Sequence, residues 1–294
     1  MKKKLSLLLL FFLLMSYKAD ALKNSLDTQK ILQDTSIQNN QNISQNKNAI
    51  KRAIVIGASS GIGRQVAKLL ATEGGYEVGL VARRINLLES LQKEISTKTY
   101  IKQIDVSKFD NARKELVELI EDMGGLDLIL ISVACNEDLK KNNKHELDKE
   151  TMAVTLTGFW NIADVAVEFF AKQKSGHLVG ISSISAVRGD AKCPVYSGAK
   201  AFISTYLEGI RNYMIQNKIP VYITDIMPGW VDTDIKYSEM PETYWVTPLE
   251  KASQQIFKAI KNKKKIAYIS KRQILVKFAL QIVPDCIYNA IGGF

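Results

Sequence analysis

At 294 residues the chain is long enough for one α/β domain with a well-buried core plus tails. An apolar fraction of 46% and a charged fraction of 24% exclude wholesale disorder and a polytopic membrane protein. Much of the formal charge of +10 sits at the ends, in Lys2 to Lys4 and in Lys261, Lys263, Lys264, Lys265, Lys271, Arg272 and Lys277. No aromatic and basic platform accompanies it, so nucleic acid is not an expected partner.

Residues 1–21 carry the three parts of a secretory signal: basic Lys2 to Lys4, an apolar run from Leu5 to Met15, and the small-residue stop Ala19-Asp20-Ala21. The run is short for a bilayer span, which needs about 20 apolar residues. A cleaved signal or an uncleaved anchor implies an exported (periplasmic or secreted) or membrane-associated protein; a misassigned start implies a cytoplasmic one. Residues 22–50 are rich in Asn and Gln and have no sustained period, which predicts a linker.

From residue 51 apolar runs alternate with helical periodicity, as in βαβ units. The predicted strands are Ala53 to Ile56, Glu77 to Val81, Tyr100 to Ile104, Leu126 to Ile131, His177 to Ser182, Val221 to Ile226 and Ile266 to Ile269. Helices fit between them. The expected fold is α/β, a three-layer doubly wound Rossmann architecture with a seven-stranded parallel sheet over residues 51–270, followed by a basic and apolar tail, 271–294.

The first strand runs into Gly57-Ala58-Ser59-Ser60-Gly61-Ile62-Gly63 and then a helical stretch, Arg64 to Leu70. Such a turn lets the backbone approach a pyrophosphate at the positive end of the helix. The second strand ends Val81-Ala82-Arg83-Arg84, with no acidic residue to accept from a ribose 2′-hydroxyl. Guanidinium groups suit a 2′-phosphate, Arg83 being the stronger candidate, so NADP(H) is preferred over NAD(H). Further on, Tyr196 and Lys200 stand four apart in a segment of helical period, Val195 to Met214, and share one face. A phenol, with an ordinary pKa of about 10, becomes a usable acid or base beside an ammonium.

Taken together, the G-x-x-x-G-x-G turn, Tyr-Ser-Gly-Ala-Lys at 196–200 and Ser183 ahead of it resemble the short-chain dehydrogenase/reductase family over roughly Lys51 to Ser270. The resemblance implies an oxidoreductase that moves hydride between nicotinamide and a small-molecule carbonyl or secondary alcohol. It implies that Ser183 hydrogen-bonds the substrate oxygen, Tyr196 exchanges a proton with it, and Lys200 contacts the nicotinamide ribose. It also implies that Asp105-Val106 and Ala134 border the adenosine, and that Pro228-Gly229-Trp230-Val231-Asp232-Thr233 closes on the nicotinamide, Val231 and Thr233 holding its carboxamide. Ser59, Ser60 and Ile62 belong to the glycine turn.

Two stretches depart from the family. Ile131-Ser132-Val133-Ala134 replaces the usual Asn-Asn-Ala-Gly, and Thr155 stands where the family places a catalytic Asn whose water relays protons to the lysine. Threonine cannot reproduce an amide's donor and acceptor set. Turnover about 10²-fold slower is the expectation; a cofactor-binding sensor or scaffold with weak or no turnover is the alternative reading.

Cys135, Cys193 and Cys286 lack metal-site spacing and read as free thiols; His145 and His177 have no partner in sequence, and no metal is expected. Tyr237, Met240, Tyr244 and Trp245 fall where the family keeps its variable substrate lid, pointing to an apolar substrate or to packing of the loop on its own domain. Gln273 to Val283 is apolar on nearly every side, with a stripe of Gln273, Lys277 and Gln281. Peripheral membrane contact and burial in a homo-oligomer are the two expected uses of such a helix.

Overall fold

The computed structural model describes residues 50–134, 144–233, 246–270 and 272–291. The N-terminal signal, the linker as far as residue 49, Cys135, Lys271 and the four aromatic and methionine side chains of the substrate loop lie outside the described residues. The chain divides into two units between Ile50 and Lys51, and every element below belongs to the second.

Seven strands form one sheet: β1 Lys51–Ile56, β2 Tyr76–Ala82, β3 Thr99–Gln103, β4 Leu128–Ile131, β5 Gly176–Ile181, β6 Val221–Pro228 and β7 Ile266–Ile269. All are parallel, in the order β3-β2-β1-β4-β5-β6-β7. The chain order reverses between β1 and β4. In an open α/β sheet that reversal makes a crevice beyond the carboxyl ends of the strands, where ligands bind.

Both faces of the sheet are covered, which is why its central strands read as continuous apolar runs. Helices α1 Gly61–Thr72 and α2 Ile85–Lys93 lie on one face, with a later helix, α7 Leu249–Lys261. Val66, Leu70, Leu88, Leu91, Ile256 and Ile260 pack there on Val55, Leu80 and Leu130. On the other face are α3 Phe109–Met123, α5 Phe159–Gln173 and α6 Pro194–Gln216, joined by Leu116, Phe159, Phe170, Ile203 and Leu207 over Ile54, Ile129 and Leu178. Each such side chain, once fully buried, contributes about 1.5–3 kcal/mol.

A short helix, α4 Lys144–Thr151, runs into α5 through a π-helical turn, Met152–Gly158. Beyond β7 the described residues form two further helices, α8 Gln273–Ile282 and α9 Asp285–Ile291. The stripe predicted on α8 does not face outward as a unit. Gln273 is 3% exposed and turned inward, while Leu275 and Ile282 are 73% and 78% exposed. Among the described residues no helix is long and apolar enough to cross a membrane.

Candidate active site

The glycine turn lies at the carboxyl end of β1. The N–H groups of Gly57 and Ala58 both donate to the Val81 carbonyl, at 2.8 and 3.0 Å, which curls the turn toward the end of β2. Gly57 has φ of +87°, and a Cβ there would meet the Ser132 carbonyl oxygen at 2.2 Å, so only glycine fits beneath the altered Ile131-Ser132-Val133-Ala134 stretch. Ser132 itself continues the pairing of β4 by donating to Ile56 O at 2.9 Å. Val133 is buried and Ala134 exposed.

Helix α1 begins at Gly61 with no side chain capping its first turn and no acidic residue in it. Its first N–H groups are thus available to an anion. Arg84 reaches back over this turn, with Nη2 donating to Ser59 Oγ at 2.9 Å and Ser60 Oγ at 2.7 Å. Arg83 turns the other way, toward Glu150 at 3.5 Å, and its carbonyl accepts from Gln103 Nε2 at 2.8 Å. The structure therefore sets Arg84, rather than the favoured Arg83, against the serines of the glycine turn.

Thr233 closes the opposite side: its methyl carbon is 3.5 Å from where a Cβ on Gly61 would stand. Gly229 is bound through its N–H to Ile269 O at 3.0 Å, and the buried Gln273 amide lies against it, where any Cβ would collide at 2.1 Å. Ile62 is half-buried, and Gly63 packs on the turn itself. Pro228 and Val231 are buried below. Asp105 accepts from Ser107 N and Oγ at 3.0 and 2.7 Å, fixing the β3 loop, and Val106 packs on Gly158 at the end of the π turn. A dinucleotide fits this arrangement: uncapped helix N–H groups for its pyrophosphate, Arg84 with two hydroxyls on one side, and the Pro228-Gly229 turn on the other.

Ser183 lies just past β5 and starts a 3₁₀ turn, Ile184–Ala186, its Oγ accepting from Ser185 N at 3.1 Å. With an acceptor site so used, the single O–H remains to donate. Tyr196 is half-buried in the first turn of α6, where Pro194 suits the helix start. One turn on, Lys200 is 2% exposed; Nζ donates to Ile181 O at 2.9 Å and lies 5.7 Å from the centre of the Tyr196 ring. Ser183, Tyr196 and Lys200 thus converge at the end of β5. Thr155 is fully buried in the π turn, and that turn packs against α6.

Sequence reasoning missed the support beneath Lys200. Asp225 on β6 is 1% exposed; its carboxylate accepts from Ser182 Oγ and, at 2.6 Å, from Ser204 Oγ. Ser182 is the neighbour of Ser183, and Ser204 stands one turn beyond Lys200. Burial lowers the Lys200 ammonium to about 8, opposed by the negative charge of Asp225. Burial raises the Asp225 carboxyl above its ordinary 3.8, opposed by both serines and by the charges of Arg211 and Lys200. The available signal was a lone carboxylate inside an apolar strand, Val221-Tyr222-Ile223-Thr224-Asp225-Ile226-Met227.

The fold and this constellation define a nucleotide-dependent oxidoreductase site, and comparison with known proteins names its class. Residues 51–243 match the short chain dehydrogenase family model, and the chain belongs to that family. It is therefore an NAD(P)-dependent oxidoreductase acting on a small molecule. A relative from Myxococcus xanthus, described as an uncharacterized oxidoreductase, is 31% identical over 63% of this chain and 74% of its own length. One from Staphylococcus aureus, with the same description, is 32% identical over 65% and 82%. In fold the chain is similar to an acetoin dehydrogenase from Salmonella typhimurium, with a TM-score of 0.65 at 16% identity over 77% of this chain and 97% of that one. It is also similar to an alcohol dehydrogenase from Thermococcus sibiricus solved with 5-hydroxy-NADP, with a TM-score of 0.62 at 22% identity over 75% and 95%.

Proposed function

We propose that the protein is an NADP(H)-dependent oxidoreductase of an apolar carbonyl or secondary alcohol, with Ser183, Tyr196 and Lys200 as its catalytic residues. When bound, the cofactor supplies or accepts hydride at nicotinamide C4. Ser183, one of its acceptor sites used by Ser185, donates its O–H to the substrate oxygen and orients it. Tyr196 gives that oxygen a proton in reduction and takes one in oxidation. Lys200 places a buried positive charge beside the phenol, easing its loss of a proton. Thr155 lines the turn behind these residues without an amide to relay a proton.

The observation carrying the cofactor choice is the Arg84 guanidinium held by Ser59 and Ser60 at the end of β2. The guanidinium's three remaining N–H donors beside two hydroxyls match a phosphate monoester, and a diol gains nothing comparable from a cation. Arg84→Glu should lower kcat/KM with NADPH by about a hundredfold, the loss of a charge-assisted fork, and spare NADH. Equal falls with both cofactors, or none, would remove the preference.

The same reading keeps residues 1–21 as a signal or anchor and 22–50 as a linker, with an exported or membrane-associated location. Mass spectrometry of the mature N-terminus tests it: a chain starting at Leu22 supports cleavage and export. The outward row Ile274, Leu275, Phe278 and Ile282 on α8 is the surface that peripheral membrane contact or a second subunit would use.

A further inference from the structure

Ser183 and Tyr196 must meet at one substrate atom, and a displacement of about 1 Å in such a pair costs about 10²-fold in rate. The chain between them, residues 184–193, is a surface loop. Its two ends are tied locally: Ser185 N to Ser183 Oγ, Asp190 N to Ser197 Oγ at 3.2 Å, and Lys192 N to Asp190 Oδ1 at 2.8 Å. Its middle is held from outside, by the last two helices of the chain.

Arg188 makes the connection. Its Nη1 donates to Leu280 O at 3.2 Å and to Val283 O at 2.7 Å, carbonyls that the end of α8 leaves without helical partners. Its Nη2 pairs with the Asp285 carboxylate, and the guanidinium lies 4.0 Å from the centre of the Tyr288 ring. The Tyr288 hydroxyl then donates to Gly189 O at 2.7 Å, returning the contact to the same loop. At its other end α8 lays Gln273 on Gly229 of the cofactor turn. A ten-residue helix, about 15 Å long, thus spans from the Pro228-Gly229 turn to the loop between the reacting residues.

We propose that α8 and α9 form a fixed outer wall of the substrate compartment, and that Arg188 is the positioning residue latching this wall to the loop joining Ser183 and Tyr196. The inference rests on the reading of those two side chains as the reacting pair. The ion pair is the minor part, because the Asp285 side chain is 91% exposed and screened by water. The latch is the planar fork, which reaches two carbonyls while stacking on a ring. An ammonium has the charge and lacks the plane. Arg188→Lys should therefore behave as a loss of the latch, although it keeps the charge.

The test uses the full chain and compares parent with Arg188→Lys by hydrogen exchange and by steady-state kinetics with a bulky apolar ketone and a small one. Exchange should quicken within residues 184–193 and 273–291 and stay unchanged elsewhere. KM for the bulky ketone should rise about tenfold, as for loss of one hydrogen bond to a charged group, and kcat should fall with both ketones, by up to the roughly 10²-fold that a displaced reacting pair costs, while cofactor Kd and Tm stay unchanged. Parental exchange in Arg188→Lys would overturn the latch. So would a joint loss of kcat, cofactor binding and Tm, which marks general destabilisation. If the parent reduces no ketone the reading of function fails, and exchange confined to the two segments still decides the latch. If Arg188→Lys does not fold, Tyr288→Phe, which removes only the bond to Gly189, takes its place and should quicken exchange in 184–193; no change there overturns the proposal.

Discussion

Lys200 donates from Nζ to a carbonyl oxygen but is an ammonium taken out of water, and that burial by itself favours its neutral form. Asp225 offsets this from the neighbouring strand, at the cost of burying a carboxylate, which Ser182 and Ser204 solvate. The pairing has a readable consequence. With a folded value of about 8 against an ordinary 10.5, the burial penalty of Lys200 is complete below pH 8 and recedes as pH rises toward 10.5. Removing the Asp225 charge lowers the ammonium further, so activity that needs charged Lys200 should fail at lower pH. In Asp225→Asn the basic limb of the kcat profile should move down by about one pH unit or more. An unmoved limb would mean that Asp225 only packs. Of these residues, Ser183, Tyr196 and Lys200 were legible because spacing along the chain reports them. Asp225 was not, because its partners come from β5 and α6 and meet only in the fold.

At the scale of elements, the β5–β6 pair also carries a group away from the site. His177 Nε2 lies 2.7 Å from Thr224 Oγ1, and that hydroxyl donates onward to Lys264 O at 2.5 Å, so the ring carries its proton on Nε2. Burial, with Lys263 nearby, lowers the imidazole from 6.5 to about 3. The unfolded chain binds this proton first, so stability present above pH 6.5 is lost as pH falls toward 3. Urea unfolding at pH 7 and pH 4.5 should show a smaller loss in His177→Gln than in the parent; equal losses would contradict the assignment. The strands were legible to within two residues at nearly every end, since fully covered parallel strands are written as apolar runs. The π turn at Met152–Gly158 and helix α9 were not. A π turn has no period of its own, and α9, Asp-Cys-Ile-Tyr-Asn-Ala-Ile, is too short to establish one. On α8 the polar stripe was visible, but its direction was set by Gln273 finding the space above Gly229.

Across the whole molecule, the order of the sheet places the glycine turn, the end of β5 and the Pro228-Gly229 turn along one edge, and α8 and α9 then approach that edge from the chain's end. Topology and glycine spacing told of the first arrangement. The second depends on Arg188 meeting residues about a hundred positions away, a pairing that no local pattern announces. The account as a whole turns on a proton passing through the Tyr196 hydroxyl beside bound dinucleotide. Single-turnover hydride transfer from NADPH to a ketone, measured in Tyr196→Phe with NADPH affinity determined in parallel, tests this most directly. The rate should fall about 10³-fold, as for loss of a general acid, at unchanged affinity. Transfer at the parental rate would contradict it.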